Sequence, residues 1–60
     1  MKLPKDPFML LSYINTQLRD NYPSLTELSK SCDISETDIK KSLANVGYTY
    51  DSASNRFIRN

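Results

Sequence analysis

Apolar residues in the first third of the chain recur at helical spacing. Leu10, Leu11, Ile14, Leu18 and Tyr22 fall on one stripe when successive residues turn by about 100°, with Phe8 at its edge. Asp6-Pro7 marks the start of this helix. Asp caps the free N–H groups, and Pro suits the first helical position because its missing N–H would be unpaired there anyway. Pro23 stops it by disfavouring helical geometry in the residue before it. The pattern predicts a helix over about 7–21, after a short lead-in from Met1 to Lys5.

Two shorter stripes follow. Leu25, Leu28 and Cys32 predict a helix over about 25–31. Ile39, Leu43 and Val46 predict another over about 36–46. Ser24 followed three residues later by Glu27 is a capping box, and Ser35 with Asp38 repeats it with a shorter acid. Ile34 and Ile39 occupy the positions of a hydrophobic staple across the second start. Only Cys32 to Ile34 remain for the turn, so the pair reads as a helix-turn-helix. Asp33 stands in that turn where glycine is frequent. Gly47, the only glycine in the chain, sits where a left-handed cap is needed to end the third helix.

Beyond Gly47 the period changes to two. Tyr48, Thr49 and Tyr50 alternate, Asp51 to Asn55 supply turn residues, and Arg56 to Arg59 resume the alternation. This predicts a β-hairpin over about 48–58, with a loop of four or five residues and Asn55 as its left-handed position. Tyr48 and Tyr50 share one face. A lone two-stranded ribbon is unstable in water, so this face must pack on the helices. The fold class is α+β: a single domain over 1–60, with a three-helix helix-turn-helix core followed by a C-terminal β-hairpin. That is the element order of a minimal winged helix.

Length sharpens the picture. A chain of 60 residues buries only about 60% of its unfolded surface, so nearly every large apolar side chain must contribute to one core. Self-association would relieve the deficit, which makes a homodimer a natural expectation. Eight basic and seven acidic residues leave a charge of +1, which is no electrostatic footprint for nucleic acid or a membrane surface. The longest apolar run is Phe8 to Leu11, too short for a signal peptide or a membrane span. With one cysteine and therefore no internal disulfide, a cytoplasmic location is expected. The chain starts at Met, carries no evident tag and reads as a complete small protein.

The chemical inventory points away from an enzyme. Histidine is absent, so the common base near neutral pKa is missing. Cys32 lacks a base to activate it and reads as a buried structural thiol. One cysteine without histidine makes no structural zinc site. Asp33, Glu36 and Asp38 lack the length and glycine of a calcium loop. No glycine-rich loop is present to cradle a phosphate. No cofactor and no metal are expected.

Two surfaces remain as candidates for binding. On the first helix, Ser12, Asn15 and Arg19 fall within about 60° of one another beside the core stripe. Met9 and Tyr13, spaced i,i+4, lie farther round with Asp20. Met, Tyr and Arg are enriched at protein interfaces, so Met9, Ser12, Tyr13, Asn15 and Arg19 form the leading candidate face for a protein partner or a second copy. If Asn15 and Arg19 are exposed, replacing either with Ala should change stability by less than about 0.5 kcal/mol. The alternative is DNA binding through the third helix, with Thr37, Lys40 and Lys41 reading and Arg56 on the hairpin. Charge disfavours it. Pro23 to Gly47 contains four acids and three bases, and phosphate contacts supply most DNA affinity. Glu36 and Lys40 read equally well as an exposed i,i+4 pair.

The opening LPKDPFMLLSYINTQLRD, together with GYTYDSASNRF, resembles a family of very short bacterial proteins known only as a domain of unknown function, numbered four-two-five-zero. The likeness covers nearly the whole chain. Its most specific parts are Leu3-Pro4, Asp6-Pro7, Met9 to Ser12, Asn15, Leu18 to Asp20, Tyr22, Gly47-Tyr48, Tyr50, Asn55 and Phe57. It implies a complete, bacterial protein and carries over no functional residue. The motif is dense on the first helix and the hairpin rather than on the would-be recognition helix, which favours the first-helix face.

Overall fold

The computed structural model describes residues 4–60. Met1 to Leu3, including most of the lead-in and the Leu3 of the family motif, lie outside the described residues. Three helices, α1 (Pro7–Asp20), α2 (Leu25–Cys32) and α3 (Glu36–Ala44), precede two strands, β1 (Tyr48–Asp51) and β2 (Arg56–Arg59). The arrangement is α+β, as the pattern predicts.

All three helix starts are capped by the residues read from the sequence. The Asp6 carboxylate accepts from the Phe8 N–H at 2.9 Å. Ser24 Oγ accepts from the Glu27 N–H at 3.2 Å, and Ser35 Oγ from the Asp38 N–H at 3.3 Å. Helix ends depart slightly. Helix α2 runs on through Cys32, because the chain reverses one residue later: Asp33 adopts the left-handed conformation, φ 56° and ψ 48°. The turn is therefore Asp33 to Ser35. Helix α3 stops at Ala44 rather than near Val46. The Val46 N–H bonds the Leu43 carbonyl at 3.2 Å, a tightened last turn, and Gly47 follows at φ 85°.

The core is apolar throughout. Leu10, Ile14 and Leu18 from α1, Leu25 and Leu28 from α2, Ile39 and Leu43 from α3, and Phe57 from β2 are buried together. Leu11, Tyr22 and Cys32, assigned to the core by the stripes, are half-buried around it. The fully inward thiol expected for Cys32 is corrected accordingly: its sulfur lies 3.9 Å from the Tyr22 hydroxyl, at the core's margin. Phe8 is 60% exposed.

The strands pair antiparallel with Tyr50 opposite Phe57 and Asp51 opposite Arg56. Residues 52–55 form the loop, and Asn55 takes φ 53°. Tyr50 and Phe57 project to the same side, their rings 5.5 Å apart and tilted by 53°, as cross-strand aromatic pairs prefer. That side faces the helices, with β2 against α1 and β1 against α3.

Candidate functional site

The polar face of α1 divides by function. Asn15 is half-buried and turned onto the hairpin. Its Oδ1 accepts from the Phe57 N–H at 2.8 Å, and its Nδ2 donates to the Phe57 carbonyl at 3.2 Å. One carboxamide thus satisfies both main-chain groups of a residue on the outer edge of β2. It does there what a neighbouring strand would do, since an amide carries the same donor and acceptor as a peptide unit. The expectation that Asn15 is a freely exposed contact residue is corrected on this geometry: it is half-buried and bonded to the hairpin through both its oxygen and its nitrogen.

A second carboxamide closes the other end. Asn55 Oδ1 accepts from the Tyr50 hydroxyl at 2.7 Å. Its Nδ2 donates to the carbonyls of Leu18 and Tyr22, at 3.1 and 3.0 Å. Those carbonyls lie at the C-terminal end of α1, where helical partners have run out. The Tyr50 oxygen in turn accepts from the Leu25 N–H, at 3.3 Å, at the start of α2. Asn15 and Asn55 therefore hold β2 and the hairpin loop against α1 at a fixed separation.

Beside these two anchors an open groove of about 790 Å³ runs between α1 and the hairpin loop. Leu11 and Leu18 contribute apolar surface to it, Ser12 and Asn15 line it from α1, and Phe8 stands at it largely exposed. Among the described residues, Arg19 on α1 and Arg56 on β2 are the two cations that line it, and no acidic residue does. Arg19 Nε donates to Asp20 Oδ1 at 2.9 Å, and its Nη2 to Oδ2 at 3.0 Å. This pairing raises the Arg19 pKa and lowers that of Asp20. Asp51, opposite Arg56, accepts from the Ser54 hydroxyl, and that bond chiefly holds its carboxyl below the ordinary range. Among the described residues, Arg56 makes no side-chain hydrogen bond or ion pair.

Of the five residues proposed on α1, Ser12, Asn15 and Arg19 come together at this groove. Met9 and Tyr13 do not line it. Met9 is 62% exposed on the other flank of α1, and Tyr13 packs half-buried against the core. Burial, with lesser effects of Cys32 and Tyr22, raises the Tyr13 pKa. Phe8 was missed from sequence, and Arg56, named there only for the DNA-binding alternative, lines this groove instead. For Phe8 a signal exists: Phe8, Ser12, Asn15 and Arg19 follow the i, i+4, i+7, i+11 spacing of a single helical stripe.

The alternative face is less coherent. Thr37, Lys40 and Lys41 are exposed on α3. Lys40 pairs with Glu36 at 3.1 Å, and Glu36 also accepts from the Thr26 hydroxyl at 2.8 Å. The Thr26 bond first, then Lys40, lowers the Glu36 pKa. Arg56 stands at the α1 groove, whereas Lys40 borders a smaller hollow of about 250 Å³ with Tyr48 and Thr49. Among the described residues, no cluster of His, Cys, Asp or Glu has the geometry to hold a metal ion, and no helix is long and apolar enough to cross a membrane.

No curated protein and no solved structure matches the chain. A family model does match, over residues 4–57, which takes in both carboxamide anchors and the groove between them. The chain belongs to that family, the domain of unknown function DUF4250.

Proposed function

We propose that this chain is a non-enzymatic interaction module that binds a protein segment in the groove between α1 and the hairpin loop. One observation carries the reading: Phe8, a large apolar side chain, stands 60% exposed at a groove whose walls are pinned by Asn15 and Asn55. A pre-formed cleft with apolar surface and a few fixed polar groups is the common form of a binding site. Ser12 and Arg19 of the α1 face line this groove. Asn15 supports the groove rather than reaching a partner through groups already bonded to Phe57.

The DNA-binding alternative has weaker support. Lys40 is engaged by Glu36, and Arg56 stands away from α3 at the α1 groove. Selection of a displayed random-peptide library against the native chain tests the reading, with Phe8→Ser as counter-target. Peptides that bind the native chain and lose binding on Phe8→Ser support it. Enriched peptides that bind both equally, or none at all, overturn it. Amide shifts of α3 on adding mixed-sequence duplex DNA, lost steeply as salt rises, would install the alternative.

A further inference from the structure

We propose that the groove selects an acidic peptide segment, one with aliphatic or aromatic side chains beside its carboxylates. This deepens, and rests on, the reading of the groove as a protein-binding site. The argument is charge complementarity over an apolar surface. Among the described residues, the two charged ones that line the groove are both arginines, one on each wall. The neighbouring acids are already engaged. Asp20 holds the Nε and Nη2 edge of Arg19, and Asp51 is bonded by Ser54 within the hairpin loop.

Asp20 does not use up Arg19. A guanidinium has five N–H donors, and the Asp20 pair accounts for two of them. The Nη1 hydrogens remain for a second carboxylate, on a planar group that Asp20 already orients. Arg56 makes no side-chain hydrogen bond or ion pair among the described residues, and Asp51, opposite it on β1, acts on it only through space. Guanidinium–carboxylate contacts of this kind add direction as well as attraction. Toward the N-terminal end of α1, Phe8 and Leu11 offer apolar surface for one or two side chains beside the cations. A nucleic-acid strand fits less well. Its affinity grows with the number of phosphates neutralised, and among the described residues the groove offers two cations, on a chain of net charge +1.

The test uses three fluorescein-labelled eight-residue peptides with two central leucines, flanked by glutamates, glutamines or lysines. Anisotropy is read against the native chain, Phe8→Ser, and the double variant Arg19→Gln with Arg56→Gln. Both arginines are exposed, so the double variant folds, as its circular dichroism will verify. The inference expects the glutamate peptide to bind at least tenfold more tightly than the glutamine peptide and the lysine peptide to bind weakest. The preference should disappear in the double variant and shrink as salt rises from 0.1 to 1 M, where the screening length falls from about 10 to about 3 Å.

Equal binding of the glutamate and glutamine peptides, still abolished by Phe8→Ser, overturns the charge selection and leaves the groove reading standing. Failure of all three peptides alongside a successful library selection also overturns the charge selection alone. Failure of both experiments removes the groove itself. Displacement of the glutamate peptide by single-stranded oligonucleotide at equal or lower concentration reassigns the groove to nucleic acid and overturns the inference.

Discussion

Replacing Asn15 with Ala removes a carboxamide that joins α1 to β2, and the cost can be worked from its two bonds. They are 2.8 and 3.2 Å long and both end on Phe57, which is 3% exposed. A neutral hydrogen bond contributes a net of about 0.5–1.5 kcal/mol, and a buried partner left unpaired moves the loss toward the upper end. The pair is therefore worth about 2–3 kcal/mol. A chain of 60 residues has a total stability of about 3–9 kcal/mol at the usual 0.05–0.15 kcal/mol per residue, so this one amide is a large share.

In a domain this small, each kcal/mol shifts Tm by about 4–8 °C. The variant should thus melt at least about 8 °C lower, with a lower urea midpoint and an unchanged m-value. Arg19→Ala is the matched control. Its ion pair is highly exposed, with side chains at 74% and 49%, so stability should move by less than about 0.5 kcal/mol. Asn15→Asp gives an independent check. At neutral pH the introduced carboxylate faces the Phe57 carbonyl with an acceptor instead of a donor, and should cost more than Ala. Protonation restores the donor and is favoured in the folded state. The gap to the native protein should therefore narrow as pH falls to about 4, near the ordinary carboxyl pKa. A loss below 0.5 kcal/mol for Asn15→Ala would refute the reasoning and return Asn15 to the candidate partner face.

The remaining predictions concern turns and one carboxyl. Asn55→Gly keeps the left-handed backbone but removes three hydrogen bonds and should cost about 2–4 kcal/mol in urea unfolding; Asn55→Ala should cost about 1 kcal/mol more for its positive φ, and equal losses would disprove the conformational part. Gly47→Ala meets no atom within 4 Å yet has φ +85°, so it should lose about 1 kcal/mol from backbone strain alone, and a neutral effect would refute this. Asp33→Gly should stabilise by about 0.5–1 kcal/mol, because it relieves the left-handed conformation and removes a negative charge at the C-terminus of α2; destabilisation in thermal melts would contradict it. Thr26→Val should raise the Glu36 pKa toward its ordinary value, read by carboxyl NMR titration. The native value is depressed, so the stabilising contribution is present above the ordinary carboxyl pKa and fades as pH falls through the depressed one; an unchanged titration midpoint in the variant would remove Thr26 as the main cause.

The sequence by itself determined the features that depend on near neighbours. The caps at Asp6, Ser24 and Ser35, the stripe Leu10, Ile14 and Leu18, and the left-handed positions Gly47 and Asn55 all follow from residues within a few positions of each other. Helix and turn energetics act at that range. The later end of α2 also has a local cause, Asp33 taking the conformation that glycine commonly takes there. The division of the α1 polar face was not legible. Asn15 and Arg19 lie near one another on the helix and read alike, yet Asn15 bonds a residue 42 positions away, while Arg19 pairs with its neighbour Asp20. Helical spacing sets the direction in which a side chain points but not what it meets. Only packing of the hairpin turned one polar residue into a substitute strand edge and left Phe8, Arg19 and Arg56 around an open groove. Asn15, Tyr50, Asn55 and Phe57, far apart in the chain, are the groups that join α1 to the hairpin.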